Sequence, residues 1–308
     1  MKVRSSGLLT MGALGIAVVA VSSSAPLIAF AAAPAIAIAF WRNGLAFAAL
    51  TPISAGPRRA EVRSLPATGG LFCVLAGVAL AVHFATWMPA VKLGSVATAT
   101  ALVATQPVWQ GLLAFALRAP DRPTRRGWIG IALAVVGVAW ATGVDVGVSA
   151  QAVLADVLAV LGGIAAAVYT LFGERARARI STTTYTWVCY GTCAALLLGV
   201  CLAAGLPLTG YDTRTWAAIL ALVGGAQLLG HSMFNYALDR VPATTISVLI
   251  LLEVPGAALL AWLWLGQTPR LATLPGLAVL VVGVVTVILG SASLNPGGGG
   301  ARRDREGR

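Results

Sequence analysis

The sequence predicts an all-α integral membrane protein with ten transmembrane helices arranged as two inverted five-helix repeats. Three observations carry that prediction. Hydrophobic residues make up 58% of the chain and charged residues 10%, with a mean hydropathy of +0.88, more apolar surface than a soluble core can bury. Charge is confined to short clusters, so residues 5–41, 64–91, 93–117, 127–144, 180–211, 215–238 and 271–301 contain no Asp, Glu, Lys or Arg. A bilayer core needs roughly 20 apolar helical residues, and most of these windows hold one or more such spans. Third, the second half of the chain echoes the first.

Pairing apolar runs with the charged or Pro/Gly punctuation between them places the spans at 9–29, 34–54, 67–90, 95–117, 127–144, 153–173, 185–204, 214–237, 242–265 and 272–290. The first follows Lys2 and Arg4 and could pass for a signal peptide ending in Ser22-Ser23-Ser24-Ala25. Its apolar character continues past Pro26 through Ile28 and Phe30, which predicts an uncleaved span. Spans two and three are separated by Arg58, Arg59 and Arg63, three and four by Lys92, and four and five by the cluster from Arg118 to Arg126. Asp156 opens the sixth span, where a helix N-terminal cap or dipole partner is its simplest role. Arg175, Arg177 and Arg179 divide six from seven, Arg214 seven from eight, Arg240 eight from nine and Arg270 nine from ten. The tail, NPGGGGARRDREGR, has no apolar face and is expected to be disordered. No ten-residue alternating segments of the kind a β-barrel needs are present.

The net charge of +11 is a topology signal rather than a nucleic-acid footprint. With the N-terminus inside, seventeen Lys and Arg fall on the cytoplasmic side and three, Lys92, Arg214 and Arg270, outside, while Arg42 lies within a span. This positive-inside bias puts both termini in the cytoplasm of a plasma-membrane protein and favours an even number of spans. The four cysteines, Cys73, Cys189, Cys193 and Cys201, all fall within spans; they lack metal-ligand spacing, and Cys189 and Cys193, one turn apart, are poorly placed for a disulfide.

Shifting the chain by 148 residues superposes Gly15-Ile16-Ala17 on Gly163-Ile164-Ala165, His83 on His231, Lys92 on Arg240 and Pro107 on Pro255. After a two-residue change in a loop, AVVGVAW at 134–140 matches LVVGVVT at 280–286. The repeats are residues 1–148 and 149–292, with 293–308 a basic cytoplasmic tail. Five spans per repeat is an odd number, so the second copy enters the membrane in the opposite sense. Inverted repeats allow two mirror-related states around a midplane site, one open to each side, which is the architecture of a secondary transporter.

The ten spans, the 5+5 repeat, FWRNGLAFAAL with Arg42 in the second span, and the proline-containing fourth and ninth spans TQPVWQGLLAFAL and LLEVPGAALLAWLWLG together resemble the EamA family of the drug/metabolite transporter superfamily. The resemblance covers about residues 7–292. It implies transport of small polar metabolites, often amino-acid or drug efflux, driven by a gradient or by exchange. Where family members commonly end the fourth and ninth spans in Leu-Gly-Glu, this chain has Leu117-Arg118 and Leu265-Gly266-Gln267, and the common Glu-Pro pair appears as Glu253-Val254-Pro255.

Polar side chains are costly in the bilayer and should face protein or water. On that ground the candidate substrate-binding residues are Arg42, His83, Trp87, Gln106, Gln110, Tyr169, Gln227, His231, Asn235 and Glu253. Gln227, His231 and Asn235 recur every four residues and form a polar stripe on one helix face; His83 and Trp87 make a similar pair. Glu253 could pair with a substrate amine or with Arg42, carry a proton, or brace the helix break at Pro255. Arg42 could bind a substrate carboxylate or a structural partner. The two histidines fit an interhelical hydrogen bond or equivalent gates in opposite states. Trp87 and Trp109 could wall a cavity, whereas Trp128, Trp216 and Trp264 sit near span ends as interfacial anchors. Pro107 and Pro255 remove backbone donors in mid-span, as hinges or as fixed kinks. Glycines 12, 15, 69, 77, 130, 137, 224, 225, 276 and 283 allow close helix approach.

No cofactor or metal is expected. A phosphate-binding Gly-x-x-x-x-Gly-Lys-Ser/Thr loop is missing, which leaves ion or proton coupling, exchange or facilitated diffusion. The expected partners are a small-molecule substrate, the lipid bilayer and, as candidates, a coupling proton and a second copy of the chain in a homodimer. A membrane-embedded enzyme would need a nucleophile–base or metal constellation that two intramembrane histidines do not supply. A heme- or lipid-binding scaffold would not need an inverted repeat. An amino acid or other zwitterion fits Arg42 with Glu253; a cationic or aromatic compound fits Glu253 with Trp87 and Trp109.

Overall fold

The structure, a computed structural model, describes residues 2–94, 96–119, 122–142, 149–265 and 274–292, and every regular element among them is helical. In chain order these are α1 (Lys2–Ser22), α2 (Ser24–Phe30), α3 (Ala35–Ala55), α4 (Arg59–Arg63), α5 (Ala67–Leu93), α6 (Val96–Val103), α7 (Gln106–Ala116), α8 (Arg125–Thr142), α9 (Ala150–Arg177), α10 (Thr182–Ala203) and α11 (Thr213–Ala221). A π-helical segment (Leu222–His231) then leads into α12 (Ser232–Ala237), followed by α13 (Ala243–Ile250), α14 (Glu253–Leu265) and α15 (Leu274–Ala292). The predicted disordered tail, 293–308, lies outside the described residues.

Among the described residues, seven stretches are long and apolar enough to cross a bilayer: Leu8–Phe30, Ala35–Ala55, Ala67–Leu93, Ala150–Arg177, Thr182–Ala203, Thr213–Ala237 and Ala243–Trp264. The regions of the predicted fourth, fifth and tenth spans are helical as well, as α6–α7, α8 and α15, but do not meet that standard over the described residues. Several predicted boundaries need correction. The fourth and ninth spans are broken, at Ala104–Thr105 and at Leu251–Leu252. Pro107 and Pro255 therefore sit in the first turns of α7 and α14, where a helix has no use for the N–H that proline lacks, rather than in mid-helix. The sixth helix begins at Ala150, capped by Ser149, whose hydroxyl accepts from the Ala152 N–H at 3.1 Å. Asp156 thus lies in the second turn and is not the cap.

The two halves interlock: α5 packs along α9, α8 along α15, α3 along α10, and α1 along the π segment. The α8–α15 seam has a reciprocal geometry. A Cβ at Gly137 would lie 2.3 Å from the Leu280 amide nitrogen and 2.7 Å from the Gly276 carbonyl; one at Gly283 would lie 2.4 Å from the Ala134 nitrogen and 2.7 Å from the Gly130 carbonyl. Adding 146 to Gly130, Ala134 and Gly137 gives Gly276, Leu280 and Gly283, so the two contact sets exchange with one another. Because Gly130 faces Val287 and Gly283 while Gly137 faces Leu280 and Gly276, the two helices run antiparallel. Only glycine lets two backbones approach this closely in lipid, where van der Waals packing rather than water expulsion drives association.

Polar ties fasten the Arg-rich end of the bundle. Glu61, on the short α4, accepts from the Ser181 N–H (2.7 Å), the Ser181 hydroxyl (2.7 Å) and the Thr184 hydroxyl (3.0 Å), and so caps the N-terminus of α10 from the other half of the chain. Partial burial pushes the Glu61 carboxyl up, but these donors, with Arg58 at 3.4 Å, outweigh it and hold the group below its ordinary value. Glu174 takes the Ala243 N–H at the start of α13 (3.2 Å), and Arg177 donates to the Asn235 and Ile180 carbonyls and pairs with Asp239. At the other end, the Lys92 ammonium donates to the Ala31 carbonyl, which α2 leaves free as it stops.

Candidate functional site: a central polar cavity

A cavity lies where the two broken helices meet α5, α9 and α12. About 70 Å³ of it is open to the centres of water-sized molecules, several times the space one water requires. Its walls include Ser24, His83, Trp87, Thr100, Gln106, Tyr169, Thr170, His231, Asn235 and Glu253, among apolar residues such as Val21, Val103, Phe234 and Ile246. Gln106 and Glu253 are the first residues of α7 and α14, so both helix breaks bring a helix N-terminus to the cavity. Discontinuous helices meeting at a solute site are a recurring device of secondary transporters.

Seven of the ten residues expected from the sequence line this cavity: His83, Trp87, Gln106, Tyr169, His231, Asn235 and Glu253. Three do not. Arg42 is fully buried and committed: Nε donates to Gln227 Oε1 at 2.5 Å, Nη1 to the Ser24 hydroxyl at 3.0 Å, and the guanidinium lies 4.5 Å from the centre of the Phe84 ring. Gln227 completes the chain by donating to Asn43 Oδ1 (3.0 Å), and Asn43 in turn donates to the Ala39 carbonyl (2.9 Å). Arg42 and Gln227 thus tie α3 to the π segment beside the cavity. Gln110 is buried outside the lining, with its carbonyl oxygen unpaired among the described residues. Trp109 also lies outside the lining, its indole N–H held by Thr105 at 3.1 Å.

Within the cavity, His83 Nδ1 lies 2.9 Å from the Gly162 carbonyl, which requires the proton on Nδ1, and its ring stacks on Trp87 with 5.6 Å between centres. Phe84 bridges the repeat-related histidines: its ring centre is 4.9 Å from that of His83 and 5.7 Å from that of His231, and Tyr169 also packs on His231 at 6.0 Å. Tyr169 and Asn235 hydrogen bond, with its hydroxyl 2.9 Å from Oδ1 and 2.7 Å from Nδ2. Gln106 donates to Thr170, whose hydroxyl is tied to the Ala166 carbonyl one turn back. The indole N–H of Trp87, only 4% exposed, is buried in the wall without a hydrogen-bond partner among the described residues, and no hydrogen bond is made there by the Glu253 carboxyl or the His231 ring.

Ser24, Asn43, Thr100 and Thr170 were not singled out from the sequence. Asn43 carried a usable signal, an intramembrane amide next to Arg42. Ser24 sits in the serine run that mimics a cleavage site, and Thr170 is of a type that satisfies itself within its own helix.

A second, wider crevice opens at the Arg-rich end, lined by Arg58, Arg177, Ser181, Thr186, Ser232, Tyr236 and Asp239 among others, with about 670 Å³ open to water-sized molecules. It lies across α12 from the central cavity. His231, Phe234, Asn235 and Leu238 face the cavity, while Ser232, Met233, Tyr236 and Asp239 face the crevice, so one helix separates the two spaces. Tyr190 holds that wall through the Ser232 hydroxyl at 3.0 Å.

A ten-residue π segment continuing into this wall, two interrupted helices meeting at a polar cavity, and two interlocked halves define a solute-handling membrane protein. Its sequence matches the EamA-like transporter family over residues 7–143 and again over 153–289, and the chain belongs to that family. It is 26% identical over 138 residues to a protein of Archaeoglobus fulgidus described as an uncharacterized transporter; the match spans 44% of this chain and about half of that relative (47%). A solved crystal structure shares the fold, with a TM-score of 0.75 at 20% identity over 92% of this chain and 98% of the other.

Proposed function

We propose that the chain is a secondary transporter that carries a small polar metabolite across the cytoplasmic membrane by alternating access, with the central cavity as its solute site. The observation that carries this reading is an asymmetry between repeat-related helices. Gly77 of α5 is packed hard on α10, where a Cβ would meet the Cys189 carbonyl and the Thr192 Cβ at 2.7 Å. Its counterpart at an offset of 148, Gly225, lies in the π segment and meets only the Ser23 hydroxyl at 3.7 Å. One of two equivalent contacts is closed and the other slack, as expected when an inverted pair is caught in one of two mirror-related states. Long π segments are rare and collect at functional sites, and this one leads directly into the thin wall of α12.

The crevice beyond that wall sits on the Arg-rich face, which the charge bias marks as cytoplasmic, and gives a solute an entrance from within, which fits net export. Glu253 is the group best placed to exchange a proton for the solute. Purified protein in sealed proteoliposomes should show saturable counterflow, in which labelled solute accumulates against unlabelled solute trapped inside. Solute that binds without crossing would defeat the reading.

A further inference from the structure

The charge and the unmet hydrogen-bonding capacity of the central cavity are more specific than its size. Among the residues lining it, the carboxyl of Glu253 is the one acidic group and there is no Lys or Arg. Arg42, which the sequence left open to either a substrate carboxylate or a structural partner, is directed into Ser24, Gln227 and the Phe84 face, with its Nη2 lacking a hydrogen bond among the described residues. Neither His83 nor His231 is ion-paired among the described residues; His83 spends its Nδ1 proton on Gly162, and His231 packs on the rings of Phe84 and Tyr169. A solute carboxylate entering here would give up its hydration with no Lys or Arg in the lining to pair with, since Arg42 lies behind Ser24 and within electrostatic reach of Glu253. Unpaired burial of a charge is costly in a low-dielectric site. Besides the His231 ring, two wall groups await a partner. Glu253 can accept hydrogen bonds and opposes positive charge, and the Trp87 indole N–H is a neutral donor buried without an acceptor, a state that costs free energy until it is met.

We propose that the cavity selects a small organic monocation, with its ammonium paired to Glu253 and a neutral hydrogen-bond acceptor on the same molecule taking the indole N–H of Trp87. The aromatic wall of Trp87, stacked on His83, suits a compact cation with an apolar body. An amino-acid amide or a comparable amine with a carbonyl or hydroxyl has the required chemistry; the parent zwitterionic amino acid does not. This assignment rests on the transport reading, and its test separates the two.

Leucinamide, leucine, N-acetylleucine and isoamylamine share one isobutyl side chain and differ in charge and acceptor: a cation with an acceptor, a zwitterion, an anion, and a cation without the acceptor. At about pH 6, below the usual α-amino pKa, the amide is charged. Counterflow in proteoliposomes and thermal stabilisation of the detergent-solubilised protein should both rank leucinamide first. Isoamylamine should follow by about tenfold, the worth of one hydrogen bond to a buried donor. Leucine and N-acetylleucine should trail by roughly a hundredfold for want of a charge partner. Trp87→Phe, which keeps an aromatic wall but removes the N–H, should raise the KM for leucinamide about tenfold more than that for isoamylamine, a difference that general damage to the fold would not produce. Preference for leucine or N-acetylleucine would overturn the cation assignment while leaving transport intact, and so would indifference to charge. Stabilisation by leucinamide without flux of any probe would overturn transport and leave the cation site standing.

Discussion

Replacing Gln227 with leucine is expected to destabilise the protein by about 3 kcal/mol, and a second replacement, Arg42→Leu, to restore at least half of that loss. Gln227 accepts from Arg42 Nε and donates to Asn43. Without it a fully buried guanidinium keeps only the Ser24 hydroxyl and the face of Phe84, since its Nη2 already lacks a hydrogen-bond partner among the described residues. Hydrogen bonds to charged groups contribute about 1.5–3 kcal/mol, and a buried charge left unpaired costs more than a neutral group. Removing the charge as well removes most of that cost. Thermal unfolding of the two single variants and the double variant forms a mutant cycle whose coupling has a definite sign. If the double variant is less stable than Gln227→Leu alone, Arg42 is not held as described.

Gly137→Ala is expected to cost about 2 kcal/mol, within the usual range for overpacking a tight contact, because the new methyl would lie 2.3 Å from a backbone nitrogen that has no rotamer by which to yield. Gly283→Ala should cost a similar amount. Since both positions lie on one seam, the double variant should cost less than the two changes separately: once α8 and α15 part, the second methyl finds room. Gly199→Ala serves as the control. Nothing lies within 4 Å of a Cβ there, so alanine should be neutral or slightly stabilising. Chemical or thermal unfolding in a fixed detergent reads all four. A neutral Gly137→Ala would mean that the two helices are not in backbone contact.

The features legible in the sequence were those written in composition and period. The absence of charge from long windows disclosed helices in lipid, the offset of 148 paired His83 with His231, and intramembrane polarity picked out most of the cavity wall, including Glu253 and Trp87. Side-chain direction was not legible. Arg42 satisfies every sequence criterion for a solute contact, yet the rotation of α3 turns it toward Gln227, and rotation about a helix axis is set by neighbouring helices. The prolines signalled that the fourth and ninth spans were irregular but not where they break, because a proline just inside a helix and one in mid-helix look alike in sequence. The π segment left no trace beyond Gly224, Gly225 and Gly230, residues equally at home in a close α-helical contact. The cap that Glu61 forms on α10 joins residues 120 positions apart, and no local pattern announces it.

The proposed alternating access requires a half-turn relating the two halves about an axis in the plane of the bilayer, a relation that would account for both the antiparallel seam and the paired histidines around one cavity. With the four buried native cysteines replaced, single cysteines introduced as Ser64→Cys and Thr209→Cys can be labelled with a membrane-impermeant thiol reagent in sealed vesicles of known orientation. The two positions should react from opposite faces, Ser64→Cys from the cytoplasmic side and Thr209→Cys from outside. Reaction of both from one face would contradict the inverted arrangement and remove the basis for two-sided access to the cavity.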